Sequence, residues 1–122
     1  MREEIVNWWK QAEKDLKAAK DSFNSSNFDW ASFQAQQAAE KALKALYLKN
    51  HGKLIKTHDL FLLSKRLNSP EEIVTLCKKL SPVYVETRYP NIQGSWRKFS
   101  REEVREDIEN AEKIVQWVEK NL

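Results

Sequence analysis

The sequence predicts an all-α protein, an up-and-down bundle of about five helices, three of them long and two short. The first observation is a stripe of alanines along residues 31–49, where small side chains recur at every third or fourth position. The second is the scarcity of chain breakers, since the 122 residues include only 2 glycines and 3 prolines. The third is that no alternating run of β-branched and aromatic residues, the pattern of a strand, can be found. The length fits a single domain spanning residues 1–122.

The long helices are predicted from apolar side chains that recur at spacings of three and four. The first covers about Arg2–Ser22 and the second Ala31–Lys49, joined by turn residues 24–27. Such a short connection favours an antiparallel hairpin. The last helix begins after a capping box, formed by Ser100 and Glu103, and runs to the end of the sequence. Its predicted inner side consists of Val104, Ile108, Ala111, Val115, Val118 and Leu122.

Two shorter helices are predicted between the long ones, and their starts are read from capping residues. Thr57 is the expected N-cap of the first short helix, and Asp29 has the same role for the second long helix. Ser69 is the expected N-cap of the second short helix, with Pro70 in its first position. The Ser81-Pro82 pair is expected to break or kink this helix, which then continues to Thr87 on a shifted axis.

The alanine-rich helix carries polar residues along the edges of its apolar stripe. The ordinary interpretation is that these residues form a solvated flank. The alternative is that some of them line a polar groove. The residues in question are Gln34, Gln36, Gln37, Glu40, Lys41 and Lys44.

Charge and cysteine content favour a protein of a reducing cytoplasm. A formal net charge of +3 permits a phosphate-bearing partner without requiring one. Cys77 is the only cysteine, so neither an internal disulfide nor a cysteine-rich zinc site is expected. The N-terminal residues include acidic side chains and lack the apolar core of a signal peptide. No stretch approaches the roughly 20 apolar residues needed to span a bilayer.

The stretch from Thr87 to Phe99 is unusually rich in arginine and aromatic residues for a connector. Arginine presents a planar set of donors that suits phosphate, and aromatic rings can stack on a base. The alternative is that the aromatic residues plug the open end of the bundle while Arg88 caps a helix C-terminus. Both roles can coexist. The residues concerned are Arg88, Tyr89, Ile92, Trp96, Arg97 and Phe99.

Three segments in order resemble the HEPN domain family: AQQAAEKALKALYL, KTHDLFLL and YVETRYP, followed by an amphipathic C-terminal helix. The resemblance covers essentially the whole chain. It implies a HEPN-like helical bundle that commonly forms homodimers. It also implies a minimal nucleotidyltransferase as partner, in a toxin–antitoxin-like pair. The two activities that it brings are nucleotide or nucleic-acid binding and metal-independent RNA cleavage by members with an Arg-x4–6-His motif.

That cleavage motif is missing from this sequence. No histidine follows Arg88 at the required distance, and His51 and His58, the only histidines, follow no arginine at that spacing. Acid–base cleavage near neutral pH usually uses a histidine. No catalytic residue is therefore assigned. A metal site is not expected either, because the two histidines lack an accompanying acidic or cysteine cluster.

The leading hypothesis is an accessory HEPN module that binds a nucleotide, with no other cofactor. The expected groove lies between the second helix, the start of the third helix and the Arg88 loop. Arg88 would hold phosphate, Tyr89 would stack on or position the ligand, and Lys41, Lys44 and His58 would add polar contacts. The competing interpretation of His58 is a packed histidine bonded to a neighbouring helix.

Two other functions remain open. The chain could be an interaction subunit without a ligand, in which Trp8, Trp30 or Trp117 anchors an interface. It could also be an RNase that uses residues outside the family motif. DNA binding is disfavoured, because acidic residues interrupt every basic run.

Overall fold

The computed structural model describes residues 2–88 and 99–122. Within these ranges all regular structure is helical, so the predicted fold class is confirmed. The helices are α1 (Glu3–Asn24), α2 (Phe28–His51), α3 (Leu60–Arg66), α4 (Glu71–Leu80), α5 (Val83–Arg88) and α6 (Arg101–Asn121). The short α5 continues the chain beyond Ser81-Pro82, as expected of a helix interrupted by proline. The three long helices are α1, α2 and α6.

Helix α2 is the centre of the bundle, and it packs most extensively against α1 and α6. Its alanine stripe is fully buried, which lets the neighbouring helices approach closely. The stripe consists of Ala31, Ala35, Ala38, Ala42 and Ala45. Hydrogen bonds between side chains of α1 and α2 show how the two helices run relative to each other. Ser22 bonds Gln34 and Lys41 bonds Asp15, so α1 and α2 are antiparallel.

Helix α6 runs parallel to α2 and packs against it. The buried Ser32 hydroxyl donates to Asp107 at 2.7 Å, and Lys49 donates to the carbonyl of Asn121 near the other end of both helices. The predicted inner side of α6 is confirmed, since all of its residues except the half-buried Leu122 are buried. The Ser100 hydroxyl accepts the Glu103 N–H at 3.2 Å, which confirms the predicted N-cap.

Two of the other predicted N-caps are wrong because a different residue occupies the position. Helix α2 begins at Phe28 after Asn27, so Asp29 lies inside the first turn instead of preceding it. Helix α3 is capped by Asp59, whose carboxylate accepts the Leu62 N–H at 3.1 Å. The Thr57 hydroxyl is used one step earlier, where it accepts the Asp59 N–H in a local turn.

The start of α4 also differs from the prediction, by one residue. Pro70 is the N-cap and Glu71 the first helical residue, because Pro70 has an extended ψ of 151°. The Pro70 carbonyl accepts the N–H groups of Ile73 and Val74. Ser69 therefore lies outside the helix and makes no side-chain cap to it.

Candidate functional site

A row of polar side chains on α2 is buried although the sequence favours solvent for it. Gln36, Glu40 and Lys44 follow one another at intervals of one helical turn and are all buried. The solvated-flank interpretation is therefore wrong for these three residues. Gln34, Gln37 and Lys41 on the same helix are partly exposed. The row lies on the side of α2 that faces the loop before α3, because Gln36 and Glu40 both bond to His58 in that loop.

Glu40 is the centre of this row, and its carboxylate accepts from three donors. Its side chain is only 4% exposed. Lys44 Nζ lies 3.1 Å from Oε2, and His58 Nδ1 lies 3.1 and 3.2 Å from the two carboxylate oxygens. Gln36 Nε2 adds a longer bond of 3.4 Å. A buried carboxylate is tolerated only when it is paired in this way, so Glu40 fixes the positions of its neighbours.

His58 is held at the start of α3 by contacts on several sides. Gln36 Nε2 donates to the His58 carbonyl at 3.3 Å, and the following Asp59 caps α3. The imidazole stacks on the ring of Tyr84 in α5, with centroids 4.1 Å apart and an interplanar angle of 12°. The His58 side chain is nevertheless 53% exposed. The packed role posed from the sequence, a bond to a neighbouring helix, is therefore observed at His58, and ligand contact by its exposed part stays a prediction.

Aromatic rings continue from His58 and Tyr84 across the surface of α2. Tyr84 lies 6.1 Å from Phe33, and Phe33 stacks on Trp30 at 5.3 Å with an interplanar angle of 14°. Trp30 is 52% exposed, an unusual position for so large an apolar side chain. We call His58, Tyr84, Phe33 and Trp30 the aromatic row. It connects the buried Glu40 to an exposed apolar edge.

A cavity of about 500 Å³ opens beside the aromatic row. The volume is in the range of pockets that hold small molecules. Lys78 supplies a cation at its wall. The Ser81 hydroxyl accepts the Leu60 N–H at 3.0 Å and so serves the start of α3. The lining residues are Thr57, His58, Asp59, Lys78, Ser81, Pro82, Tyr84 and Val85.

The residues predicted to bind a nucleotide are divided among separate places. His58 lines the cavity, whereas Lys44 does not: its ammonium group is bonded to Glu40 and lies 5.7 Å from the Trp8 ring centroid. Lys41 instead bonds Asp15 at 2.6 Å and borders a second cavity, of about 360 Å³, on the side of α1.

Arg88 and Tyr89 stand at the limit of what the structure describes. Arg88 is the last residue of α5, one turn beyond Tyr84, so its backbone is at the end of the helix that borders the cavity. The Arg88 side chain and the whole of Tyr89 lie outside the described part of the chain. The plug or binding role foreseen for the segment from Thr87 to Phe99 lies outside it for residues 89–98, whereas Phe99 is described and packs, partly buried, against the core.

Several residues of the site were not foreseen from the sequence, and Tyr84, Lys78 and Phe33 are the most informative of them. Tyr84 and Lys78 line the cavity, and Phe33 links Tyr84 to Trp30. Tyr84 and His58 are far apart in the sequence, and only the packing of α5 beside α2 brings them together. The spacing of Gln36, Glu40 and Lys44 was a usable signal, because a glutamate one turn before a lysine is a favourable helical pair.

Other kinds of site can be assessed within the described ranges. No group of three or more His, Cys, Asp or Glu side chains there is arranged to hold a metal ion. Cys77 is buried, and burial raises the pKa of its thiol to about 12, although a hydrogen bond with Ser64 opposes the rise. Of the helices in residues 2–88 and 99–122, none combines the length and the apolar character needed to cross a membrane.

The fold agrees with comparisons to known proteins. The family model of the HEPN domain matches residues 5–121, so the chain belongs to the HEPN domain family. No curated protein matches it.

Solved structures similar to the chain come from bacteria and archaea. TT1696 from Thermus thermophilus is 34% identical over 99% of this chain and 100% of its own, with a TM-score of 0.90. ST0689, an archaeal HEPN homologue, is 30% identical over 98% of both chains, with a TM-score of 0.80. A HEPN domain protein from Thermotoga maritima, tm0613, is 30% identical over 93% of this chain and 95% of its own, with a TM-score of 0.70.

Proposed function

We propose that this HEPN-family chain binds a nucleotide in the cavity beside His58 and Tyr84. The observation that supports the proposal best is the stacked His58–Tyr84 pair, whose rings lie 4.1 Å apart at the wall of a cavity of about 500 Å³. Stacked rings offer a flat apolar surface to a base. Lys78 at the same wall offers a charge to phosphate.

Arg88 is the second phosphate contact in this proposal. It ends α5, one turn beyond Tyr84, and an arginine there can hold phosphate with a fork of donors. Tyr89 follows directly and keeps its proposed stacking or positioning role. Lys44 contributes indirectly by pairing with Glu40, and Lys41 contributes least, because it is bound to Asp15 beside another cavity.

Calorimetric titration with ATP and other nucleotides tests the proposal. A hydrogen bond to a charged group contributes about 1.5–3 kcal/mol. Lys78→Ala and Arg88→Ala should therefore each weaken binding by about tenfold or more. Lys79→Ala is the matched control, because Lys79 is the next residue of α4, is exposed and does not line the cavity. Equal affinity of all the variants, or no binding by the wild type, would refute the proposal.

A second function is favoured by the exposed end of the aromatic row. Trp30 is 52% exposed and Val85 is 41% exposed, and large exposed apolar side chains often mark protein interfaces. On this proposal the chain forms a homodimer or pairs with a minimal nucleotidyltransferase, as in a toxin–antitoxin-like system. Trp8 and Trp117 are partly buried, so Trp30 is the strongest candidate anchor among the three tryptophans considered.

Sedimentation velocity and co-purification with the candidate transferase test this second function. Trp30→Ser should weaken the assembly, whereas Trp117→Phe should leave it intact because Trp117 packs against the core. An assembly that survives Trp30→Ser would show that this surface is not the interface. Nucleotide titration of the same variant shows whether binding and assembly depend on one surface or on two.

A further inference from the structure

The Glu40–His58 contact determines which nitrogen of the imidazole is available to a ligand. Lys44 Nζ donates to the Glu40 carboxylate at 3.1 Å. An ionised carboxylate only accepts hydrogen bonds, so His58 Nδ1, at 3.1 Å, is the donor. In the neutral ring the lone pair therefore lies on Nε2.

The ring is also restrained, and no residue of the described ranges bonds to its second nitrogen. Tyr84 covers one face of the imidazole, and Gln36 holds the His58 carbonyl at 3.3 Å. Across the residues that the structure describes, His58 Nε2 makes no hydrogen bond. His58 itself lines the cavity of about 500 Å³.

The hydroxyl groups of the cavity are used to build the start of α3. Thr57 Oγ1 accepts the Asp59 N–H at 3.1 Å, and Ser81 Oγ accepts the Leu60 N–H while donating to Asp59. If either hydroxyl group moved toward a ligand, the hydrogen bond that it makes in the local turn or at the start of α3 would be lost. Compared with these two hydroxyl groups, Nε2 of His58 is the nucleophilic atom without a structural hydrogen bond to any described residue.

We propose that His58 is a phosphoryl acceptor, whose Nε2 takes a phosphoryl group from a donor with a good leaving group. The donor class is an acyl phosphate or a phosphoramidate. The Nε2 lone pair attacks phosphorus, an N–P bond forms, and the bond from phosphorus to the leaving group breaks with its electron pair. The proton on Nδ1 stays in place. The proposal rests on the proposed function to the extent that the same cavity must admit a phosphate.

The surroundings of His58 favour this step through charge. Attack by Nε2 leaves a positive charge on the ring, and the Glu40 carboxylate at 3.1 and 3.2 Å stabilises it. Lys78, at the cavity wall, provides a cation for the phosphoryl oxygens. Glu40 is a positioning residue, since it acts through the imidazole and is buried away from the cavity.

His51 is an internal reference for the reactivity of His58. It is exposed at the end of α2, and its ring lies 4.2 Å from that of Tyr47. Within the described ranges no carboxylate bonds to the His51 ring. The two histidines therefore differ in the feature on which the proposal depends, and both are present in the same folded molecule.

The test is phosphorylation of the full chain by potassium phosphoramidate, followed by ³¹P NMR and by mass spectrometry that locates the modified histidine. His58 should react at least about tenfold faster than His51, and its phosphoryl group should be on Nε2. The tenfold ratio is the lower end of the effect that a carboxylate partner has on a histidine. Glu40→Gln should reduce this preference, and His51→Gln should leave the His58 rate unchanged. Equal rates for the two histidines in the wild type would overturn the proposal, and that comparison needs no variant to fold.

Nucleotide titration separates this proposal from the proposed function. Nucleotide binding together with equal histidine rates would overturn the phosphoryl-acceptor role and leave nucleotide binding standing. Selective phosphorylation of His58 without nucleotide binding would support the acceptor role and refute the proposal that the cavity binds a nucleotide. Modification on Nδ1 would overturn the role, since it would show that Glu40 does not hold the proton there.

Discussion

The buried ion pair between Glu40 and Lys44 allows an asymmetric stability prediction. Their side chains are 4% and 8% exposed, so solvent screens the pair only weakly. Glu40→Leu removes the only carboxylate bonded to Lys44 among the described residues and leaves a buried ammonium group with the Trp8 ring, 5.7 Å away. Lys44→Met leaves a carboxylate that still accepts from His58 and Gln36.

The expected magnitudes follow from how many partners each charge retains. Breaking a buried pair from one side typically costs about 3–5 kcal/mol, and we expect Glu40→Leu to fall in that range. Lys44→Met should cost less, about 1–3 kcal/mol, because Glu40 keeps two of its donors. The double variant should recover most of the loss, since an apolar pair of similar volume often replaces a buried ion pair without net cost.

Urea unfolding followed by far-UV circular dichroism, at one fixed protein concentration, measures these differences. Lys41→Met is the matched control, because it breaks the more exposed pair with Asp15 and should cost less than about 1 kcal/mol. The coupling energy between Glu40 and Lys44 should exceed about 1 kcal/mol. If Glu40→Leu costs no more than Lys44→Met, or if the double variant loses the sum of the two, the asymmetry argument is wrong.

The remaining predictions concern single groups. Cys77 should resist a disulfide reagent at pH 8 until the chain unfolds, and rapid labelling of the native protein would contradict this. Because folding raises the pKa of the thiol from 9.0 to about 12, the unfolded chain loses the thiol proton first, and the free energy of unfolding should fall between those pH values relative to Cys77→Ala. Gly52→Ala should lower the free energy of unfolding by about 1 kcal/mol. Gly52 has a φ of +72° and open space around its Cβ position, so backbone strain is the only penalty. Gly52→Asn should cost less, and equal costs for the two variants would argue against strain. Ser100→Ala should lower stability by about 1 kcal/mol through loss of the α6 N-cap, and Ser100→Asp should retain it, which thermal unfolding can check.

The helices could be predicted because their signals are local. The alanine stripe of α2 and the apolar side of α6 are repeated patterns, and each repeat supports the same assignment. The first residue of each helix is harder to predict, because several residues near a helix start can accept a backbone N–H. Thr57 and Asp59 both do so, and only the geometry of the turn decides that Asp59 caps α3.

The site was predicted less completely because it depends on contacts between distant segments. Amphipathic patterning assigns charged residues to solvent, and it therefore misplaces Glu40 and Lys44. His58, a site candidate from the sequence, lines the cavity, but its stacking partner Tyr84 lies in a helix of six residues. So short a helix has no periodicity from which an inner face could be read.

The ion pair connects the stability of the bundle to the chemistry of its cavity. Apolar residues could replace Glu40 and Lys44 with little loss of stability, so packing alone gives no reason for a buried carboxylate at this position. On the phosphoryl-acceptor proposal, the reason lies in His58, whose Nδ1 is held by Glu40 at 3.1 Å. We therefore expect the Glu40→Leu/Lys44→Met variant to remain folded while His58 loses its kinetic preference over His51 toward phosphoramidate. A folded double variant that kept the full preference would show that stacking on Tyr84, and not the buried carboxylate, positions the imidazole.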